Sequence, residues 1–249
     1  ITGFGLKLAM FPLHRWLPDA YTFAPSVVTA FLAATATKAA IYVMLRFVFT
    51  VFGQSFVFLD VALIFFIVLG LLGMFIASLV AVFRDDVKQM QAYSSVAQVG
   101  YMLLGISFAT IDGVSAAIVH LFNHALMKAA LFMAVGAVFY SIGSHRISAF
   151  RGIGKTMPFT SAAFVIAGLS LIGVPFTGGF ISKWLLIKGA LDAVLPVPSL
   201  LIVLLIVASS LLAVAYIGRV VYEMYLAEPD GSVPRVNVPA GMLIPLIFM

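Results

Sequence analysis

A repeated length constrains this chain more than any other feature. Val61–Phe83, Gln89–Ile111 and Phe159–Ile181 each run for 23 residues without a charged side chain. About 20 mostly apolar residues carry an α-helix across the hydrocarbon core of a bilayer. Pro25–Leu45, Val114–Tyr140 and Ser199–Ile217 have similar length and character, which makes six spans. Ile1–Leu13 and Gly241–Met249 add a partial span at each end. The alternation of a β-barrel is absent, so the sequence predicts an all-α, polytopic transmembrane helix bundle. Composition agrees: 63% of the residues are apolar and 9% charged, where a soluble domain carries roughly 25% charge. The whole of 1–249 reads as one transmembrane domain, cut inside helices at both ends.

Phe159–Leu195 is too long for one straight helix, and Gly173-Val174-Pro175-Phe176-Thr177-Gly178-Gly179 lies in its middle. Proline removes a backbone donor and glycine loosens the helix, so two half-helices around a break are expected. Broken helices at membrane depth are tolerated where they are buried in protein or line a watery cavity, a common setting for transport.

The net charge is +5, from fourteen Lys and Arg against nine Asp and Glu. No basic cluster suits a phosphate backbone, so no nucleic-acid partner is expected. Ten of the basic residues fall in loops or at helix ends. Arg15, Arg84, Lys88, Arg146, Arg151, Lys155, Arg219 and Arg235 collect on one side, and only Arg46 and Lys188 on the other. The positive-inside rule makes the first side cytoplasmic if the broken segment crosses once. Arg84-Asp85-Asp86-Val87-Lys88 reads as a salt-bridged turn there, and Pro12–Asp19, with His14, as an interfacial stretch.

The remaining four basic residues, Lys7, Lys38, Lys128 and Lys183, lie inside apolar spans. A lysine at a helix centre costs about 2.5–3.5 kcal/mol on insertion scales. The nine acidic residues, Asp230 among them, all fall at loop or interface positions, so none is a clear mid-membrane partner. Desolvation disfavours the charged ammonium, which lets such a lysine exchange a proton at ordinary pH. Small residues around Lys38 (Ala33-Ala34-Thr35-Ala36-Thr37) favour close helix packing and place it inside protein. His120, His124 and Lys128 are spaced by four and share one helix face, with Asn123 beside it. A series of such groups at one depth suits a proton relay. The bland alternative is a set of structural lysine–carboxylate pairs, or a hydrogen-bonded histidine pair.

The histidine pair lacks a cysteine or nearby acidic third ligand, so no metal is expected. The chain contains no cysteine, which excludes disulfides and iron–sulfur ligation by its own residues. No P-loop, dinucleotide fingerprint, HExxH or GxSxG motif occurs, so neither a cofactor nor a redox or hydrolytic catalytic residue is expected.

Lys7-Leu8-Ala9-Met10-Phe11-Pro12-Leu13-His14-Arg15-Trp16-Leu17-Pro18-Asp19-Ala20, followed by Ala24-Pro25, resembles a signature of the antiporter-like membrane subunits. These subunits occur in respiratory complex I, membrane-bound hydrogenases and Mrp-type Na+/H+ antiporters. Asp86-Val87-Lys88 with Ala92-Tyr93-Ser94-Ser95 and Gln98-Val99-Gly100-Tyr101, His120 to Lys128-Ala129, and Gly173-Val174-Pro175 to Lys183 resemble further segments of that family, in order and spacing. The resemblance implies the second part of a subunit of about fourteen helices. It implies a midplane proton path with Lys7 on a first broken helix and Lys38 as connecting residue. His120, His124 and Lys128 would form a central relay, and Lys183 would be the terminal lysine. The glutamate that pairs with the first lysine in the family would lie upstream of Ile1. Lys38, Lys183 and Trp184 together look nearest the D-type Mrp subunits, with complex I subunits close.

The expected function is therefore H+ or Na+/H+ translocation by a membrane subunit of a multisubunit complex, in a bacterial inner membrane. The expected partners are other membrane subunits, the lipid bilayer, H+ and Na+. The resemblance allows membership of a translocase such as NADH:quinone oxidoreductase. Alternatives are a scaffold subunit and an independent solute carrier with its pocket at the break.

Overall fold

The structure is a computed structural model and describes residues 2–53, 59–228 and 238–248. These residues form helices and connecting turns without a β-sheet. In chain order the helices are α1 (Thr2–Leu8), α2 (Trp16–Phe23), α3 (Ser26–Arg46), α4 (Leu59–Val82), α5 (Val87–Ser107) and α6 (Ile111–Ile142). Then follow α7 (Ile153–Thr156), α8 (Pro158–Ile172), α9 (Gly178–Asp192), α10 (Ser199–Tyr225) and α11 (Ala240–Phe248). A π-helical turn, Phe47–Phe52, extends α3. Ser26–Phe52, α4, α6 and α10 are long and apolar enough to cross a membrane.

α5 is long enough to span but too polar to count among those four. The reason is its position. Every residue of α5 except Gln89 and Tyr93 is buried, by contacts that include α2, α4 and α6. A helix that never meets lipid can carry Gln91, Ser94, Ser95 and Gln98. The close approach of α4 depends on glycine. A Cβ on Gly100 would stand 2.6 Å from the Gly70 carbonyl oxygen and 2.7 Å from the Met74 nitrogen. Backbones meet this closely in membranes where small residues line the contact.

α6 is the other organising element. Its 32 residues reach about 48 Å at the usual rise. Thr110 caps its start, accepting from the Gly113 N–H at 3.1 Å. α6 packs against α3, α5, α8 and α9, so side chains from four helices meet along it.

The expected break lies at 173–177, between α8 and α9. Gly173 takes φ +90° and closes α8 with a left-handed turn. Thr177 caps α9 through the Phe180 N–H at 3.4 Å. A break earlier in the chain, at 9–15, corrects the reading of Ile1–Leu13 as one partial span and follows Lys7, where the resemblance implied a broken helix; the breaks at 9–15 and 173–177 are the first and second in chain order. Pro12 has no N–H to continue a helix, and Phe11 packs against Gly73, near the middle of α4. His14 and Arg15 therefore sit in the gap between α1 and α2. Ile111 belongs to α6, because the chain turns after Ser107. Ile1, Asp230, Arg235 and Met249 lie outside the described residues.

One end of the bundle is tied by charge. Arg219 pairs with Asp85 at 2.9 Å and Arg151 with Glu223 at 2.8 Å. Val87 N–H donates to the His145 carbonyl and Ile147 N–H to the Asp85 carbonyl, both at 2.8 Å. The opposite end of α6 holds the Lys188–Asp112 pair at 3.0 Å. The reading of 84–88 as a salt-bridged turn needs correction at two places. Asp86 caps α5 by accepting from the Gln89 N–H at 2.8 Å. Lys88 is buried and donates to the Ala24 carbonyl just past α2.

Candidate functional site

The six side chains singled out in the sequence divide five to one. Lys38, His120, His124, Lys128 and Lys183 are buried, with His124 and Lys128 fully enclosed. Lys7 is exposed at the end of α1. It lines a cavity of about 470 Å³ with Gly3 and Phe4 of α1 and Ala39, Ala40 and Val43 of α3.

Lys183 stands in the first turns of α9 and reaches back across the break. Its Nζ donates to the last carbonyls of α8, Leu171 at 3.1 Å and Ile172 at 2.7 Å. A helix C-terminus leaves such carbonyls unpaired and carries partial negative charge, so a cation there serves as a cap. Nζ also donates to Ser210 Oγ of α10 at 2.9 Å and lies 4.8 Å from the centre of the Tyr101 ring. The Tyr101 hydroxyl lies 3.4 Å from the same Ser210 Oγ.

Ser182, the neighbour of Lys183, links the break to α6. Its hydroxyl lies 2.8 Å from His120 Nδ1, while His120 Nε2 lies 2.8 Å from Gln98 Oε1. One turn on, His124 stacks parallel to His120 with ring centres 5.9 Å apart. Both nitrogens of His124 are buried without a protein partner. Another turn on, Lys128 Nζ donates to the Gln91 carbonyl at 2.8 Å, to Gln91 Oε1 at 2.9 Å and to Ser94 Oγ. Lys38 donates to the Ala33 carbonyl of its own helix. It lies within electrostatic reach of His120, His124 and Lys128.

The result is a line of titratable groups inside protein, from Lys183 through His120 and His124 to Lys128, with the buried Lys38 of α3 as a further member of the set. Among the described residues, no carboxylate pairs with these lysines. Carbonyl and hydroxyl oxygens hold each ammonium instead. This geometry differs from a structural lysine–carboxylate pair, because an ammonium bound by neutral acceptors can release a proton without leaving a carboxylate unpaired. Among the described residues, no three His, Cys, Asp or Glu side chains cluster as metal ligands.

The residues that sequence reasoning passed over are the connectors: Gln91, Ser94, Gln98, Tyr101, Ser182 and Ser210. A signal existed for the α5 set. Gln91, Ser94, Gln98 and Tyr101 recur at helical spacing along one face of a run noted for lacking charge and for its likeness to a family segment, but given no role in the path. Ser210 carried no such signal, since an isolated serine is ordinary in a membrane helix.

Residues 1–213 match the family described as NADH:quinone oxidoreductase/Mrp antiporter, TM. A curated relative, NADH-quinone oxidoreductase subunit N of Desulforudis audaxviator, is 40% identical over all of this chain and 51% of its own length. A chain of the membrane-bound sulfane sulfur reductase, an archaeal respiratory membrane complex, superposes with TM-score 0.88 at 32% identity. That match covers 99% of this chain and 50% of the other. A chain of the Mrp complex from a Dietzia species gives TM-score 0.85 at 31% identity, covering 97% and 43%. The chain thus spans about half the length of the relatives it matches. With its two broken helices, its buried Lys–His line and these likenesses, the chain belongs to the antiporter-like membrane subunit family shared by NADH:quinone oxidoreductases and Mrp antiporters.

Proposed function

We propose that this chain is part of a proton-translocating membrane subunit of a multisubunit complex, and that Lys38, Lys128, His124, His120 and Lys183 pass the proton between them. The carrying observation is the buried line itself. His120, Lys128 and Lys183 are held by neutral oxygens that link α5, α6, α8, α9 and α10, His124 stacks beside His120, and Lys38 of α3 is bound by a carbonyl of its own helix. Lys7 enters this reading as the group at the open end, facing a cavity beside the helix that carries Lys38. Membrane complexes whose subunits resemble this chain supply the expected setting, with other membrane subunits as partners, H+ or Na+ as the carried ion and a bacterial inner membrane as location.

Proton flux in membranes carrying the full-length protein in its complex tests the proposal. Lys38→Ala and Lys183→Ala should each lower flux per assembled complex. Normal flux in both would overturn the relay. A scaffold role predicts the contrary pattern, with less assembly and unchanged flux per complex.

A finer reading concerns the kind of complex. Lys38, Lys183 and Trp184 favour a D-type Mrp subunit, and the likeness to the Mrp chain supports it. The 40% identical relative, from an NADH-quinone oxidoreductase, favours a redox-driven pump. Sodium-dependent proton exchange without an electron donor supports the first, and flux that requires quinone reduction supports the second.

A further inference from the structure

Lys88 is a buried lysine that the relay does not use. It stands in the first turn of α5, and its ammonium donates to the Ala24 carbonyl, where α2 turns into α3. Backbone donors are short at this corner. Pro25 has no N–H, so the Tyr21 carbonyl, which an unbroken helix would pair with residue 25, takes the Thr29 hydroxyl at 2.9 Å instead. The Ala24 carbonyl lies 3.4 Å from that hydroxyl, and Lys88 supplies its closer donor from another helix. α6 presses on the same corner from a second side: a Cβ on Gly136 would stand 2.8 Å from Ser26 Cβ.

Two series of contacts lead from this corner to Lys128. His120, His124, Lys128, Phe132 and Gly136 are spaced by four and share one face of α6. Phe132 meets the Tyr21 ring of α2 edge-on, with centres 5.7 Å apart, and Lys128 Nζ lies 5.7 Å from the centre of the Phe132 ring. On α5, Gln91 follows Lys88 by three residues, and its carbonyl and side chain hold the Lys128 ammonium at 2.8 and 2.9 Å. Close-packed contacts of this kind transmit displacement, because a filled core has no slack to absorb it.

We propose that Lys88 is a positioning residue for Lys128: by pinning the α2–α3 corner against α5 and α6, it holds Tyr21 against Phe132 and fixes the oxygens that receive the Lys128 ammonium. Lys88 donates a hydrogen bond and does not itself pass a proton. The inference rests on the proposed relay and adds a group that sets its geometry.

The test is proton flux in the full-length protein within its complex. Lys88→Met should lower flux per assembled complex by at least about tenfold, since a misplacement of about 1 Å can cost roughly 10²-fold. Lys88→Arg should restore most of that flux, because a guanidinium donates to the carbonyl yet releases no proton. A proton carrier at this position would be lost in both variants. Gly136→Ala should lower flux by displacing the corner, and adding Ser26→Gly should restore it by removing the opposing Cβ. Normal flux per complex in Lys88→Met, or equal loss in Lys88→Met and Lys88→Arg, with flux lost in Lys183→Ala, would overturn the positioning role and leave the relay standing. Should Lys88→Met fail to assemble, normal flux in assembled Gly136→Ala would overturn it. Normal flux in Lys183→Ala would overturn the relay itself.

Discussion

At the second break, Lys183 closes the gap from inside: its ammonium caps the carbonyls of Leu171 and Ile172 while Ser210 and Tyr101 enclose it. At the first break the gap is bridged by a different residue. Trp16 Nε1–H donates to the Leu6 carbonyl at 2.9 Å, at an exposed site, and Lys7 points away into an open cavity. Both breaks pair a lysine with a proline-containing gap, yet only one makes its lysine part of the fold. The difference comes from the neighbours. α9 lies against α6 and α10, whereas α1 packs mainly on α3. A lysine becomes a structural cap only where other helices close over it.

The largest expected effect separates the breaks by backbone packing. A Cβ on Gly179 would stand 1.7 Å from the Ser170 carbonyl oxygen, whereas one on Gly3 meets nothing within 4 Å. Gly179→Ala should cost more than about 3 kcal/mol, beyond ordinary overpacking, and remove assembled protein from the membrane. Gly3→Ala should assemble normally, as measured by quantifying the complex after solubilisation. Equal yields would show that the second break is as pliable as the first.

Next, the lysines themselves should separate stability from flux. Lys183→Met leaves buried carbonyls unpaired and should cost about 1–3 kcal/mol in addition to lowering flux. Lys7→Met should stay within about 0.5 kcal/mol of the parent and still lower flux if Lys7 lies on the path. Thermal unfolding in detergent, set beside flux in membranes, measures both. A strong destabilisation by Lys7→Met would break the contrast.

A smaller effect belongs to the first bridge. Trp16→Phe removes its indole donor and should cost about 0.5–1.5 kcal/mol, with faster amide exchange at Ala9 and Met10, whose N–H groups close the turn after α1. Unchanged exchange would mean the indole contributes nothing to the turn.

The smallest effect lies outside both breaks and calibrates them. Burial holds the His145 imidazole below its ordinary value; Asp86 opposes this and Lys88 adds to it. The unfolded chain then binds the proton more readily, so this contribution is complete above the unfolded value of about 6.5 and is lost as pH falls through the lowered folded value. Acidification should lower the protection of the Val87 amide, read against the intrinsic exchange rate at each pH, because His145 holds that amide through its carbonyl. His145→Gln should flatten that dependence. The same pH dependence in His145→Gln would assign it to another group.

Much of this was legible in the sequence because membranes make backbone demands local. Each span must satisfy its own hydrogen bonds, so length and apolar character located α3, α4, α6 and α10, and Gly173, Pro175 and Gly179 marked the second break. The residues alone did not show the first break, since Pro12 lies near Arg15 and Trp16, which suggest an interface; only the family resemblance implied a broken helix at Lys7. Lys88 read as a turn residue beside two aspartates. Its burial follows from the placement of Ala24, far away in sequence. For the site, spacing alone found His120, His124 and Lys128 on one face. The oxygens that hold His120 and Lys128 come from α5 and α9, and pairwise contacts between helices leave little trace in one sequence.

The sequence by itself determined an α-helical membrane bundle with lysines at spanning depth, because hydropathy and helix breaking depend on neighbouring residues along the chain. Tertiary structure alone decided which lysines are enclosed, that carbonyls and hydroxyls rather than carboxylates receive them, and that the most polar long helix is the most buried. Those outcomes depend on which helices touch. Burial is a property of the assembled neighbours, and no residue carries it on its own.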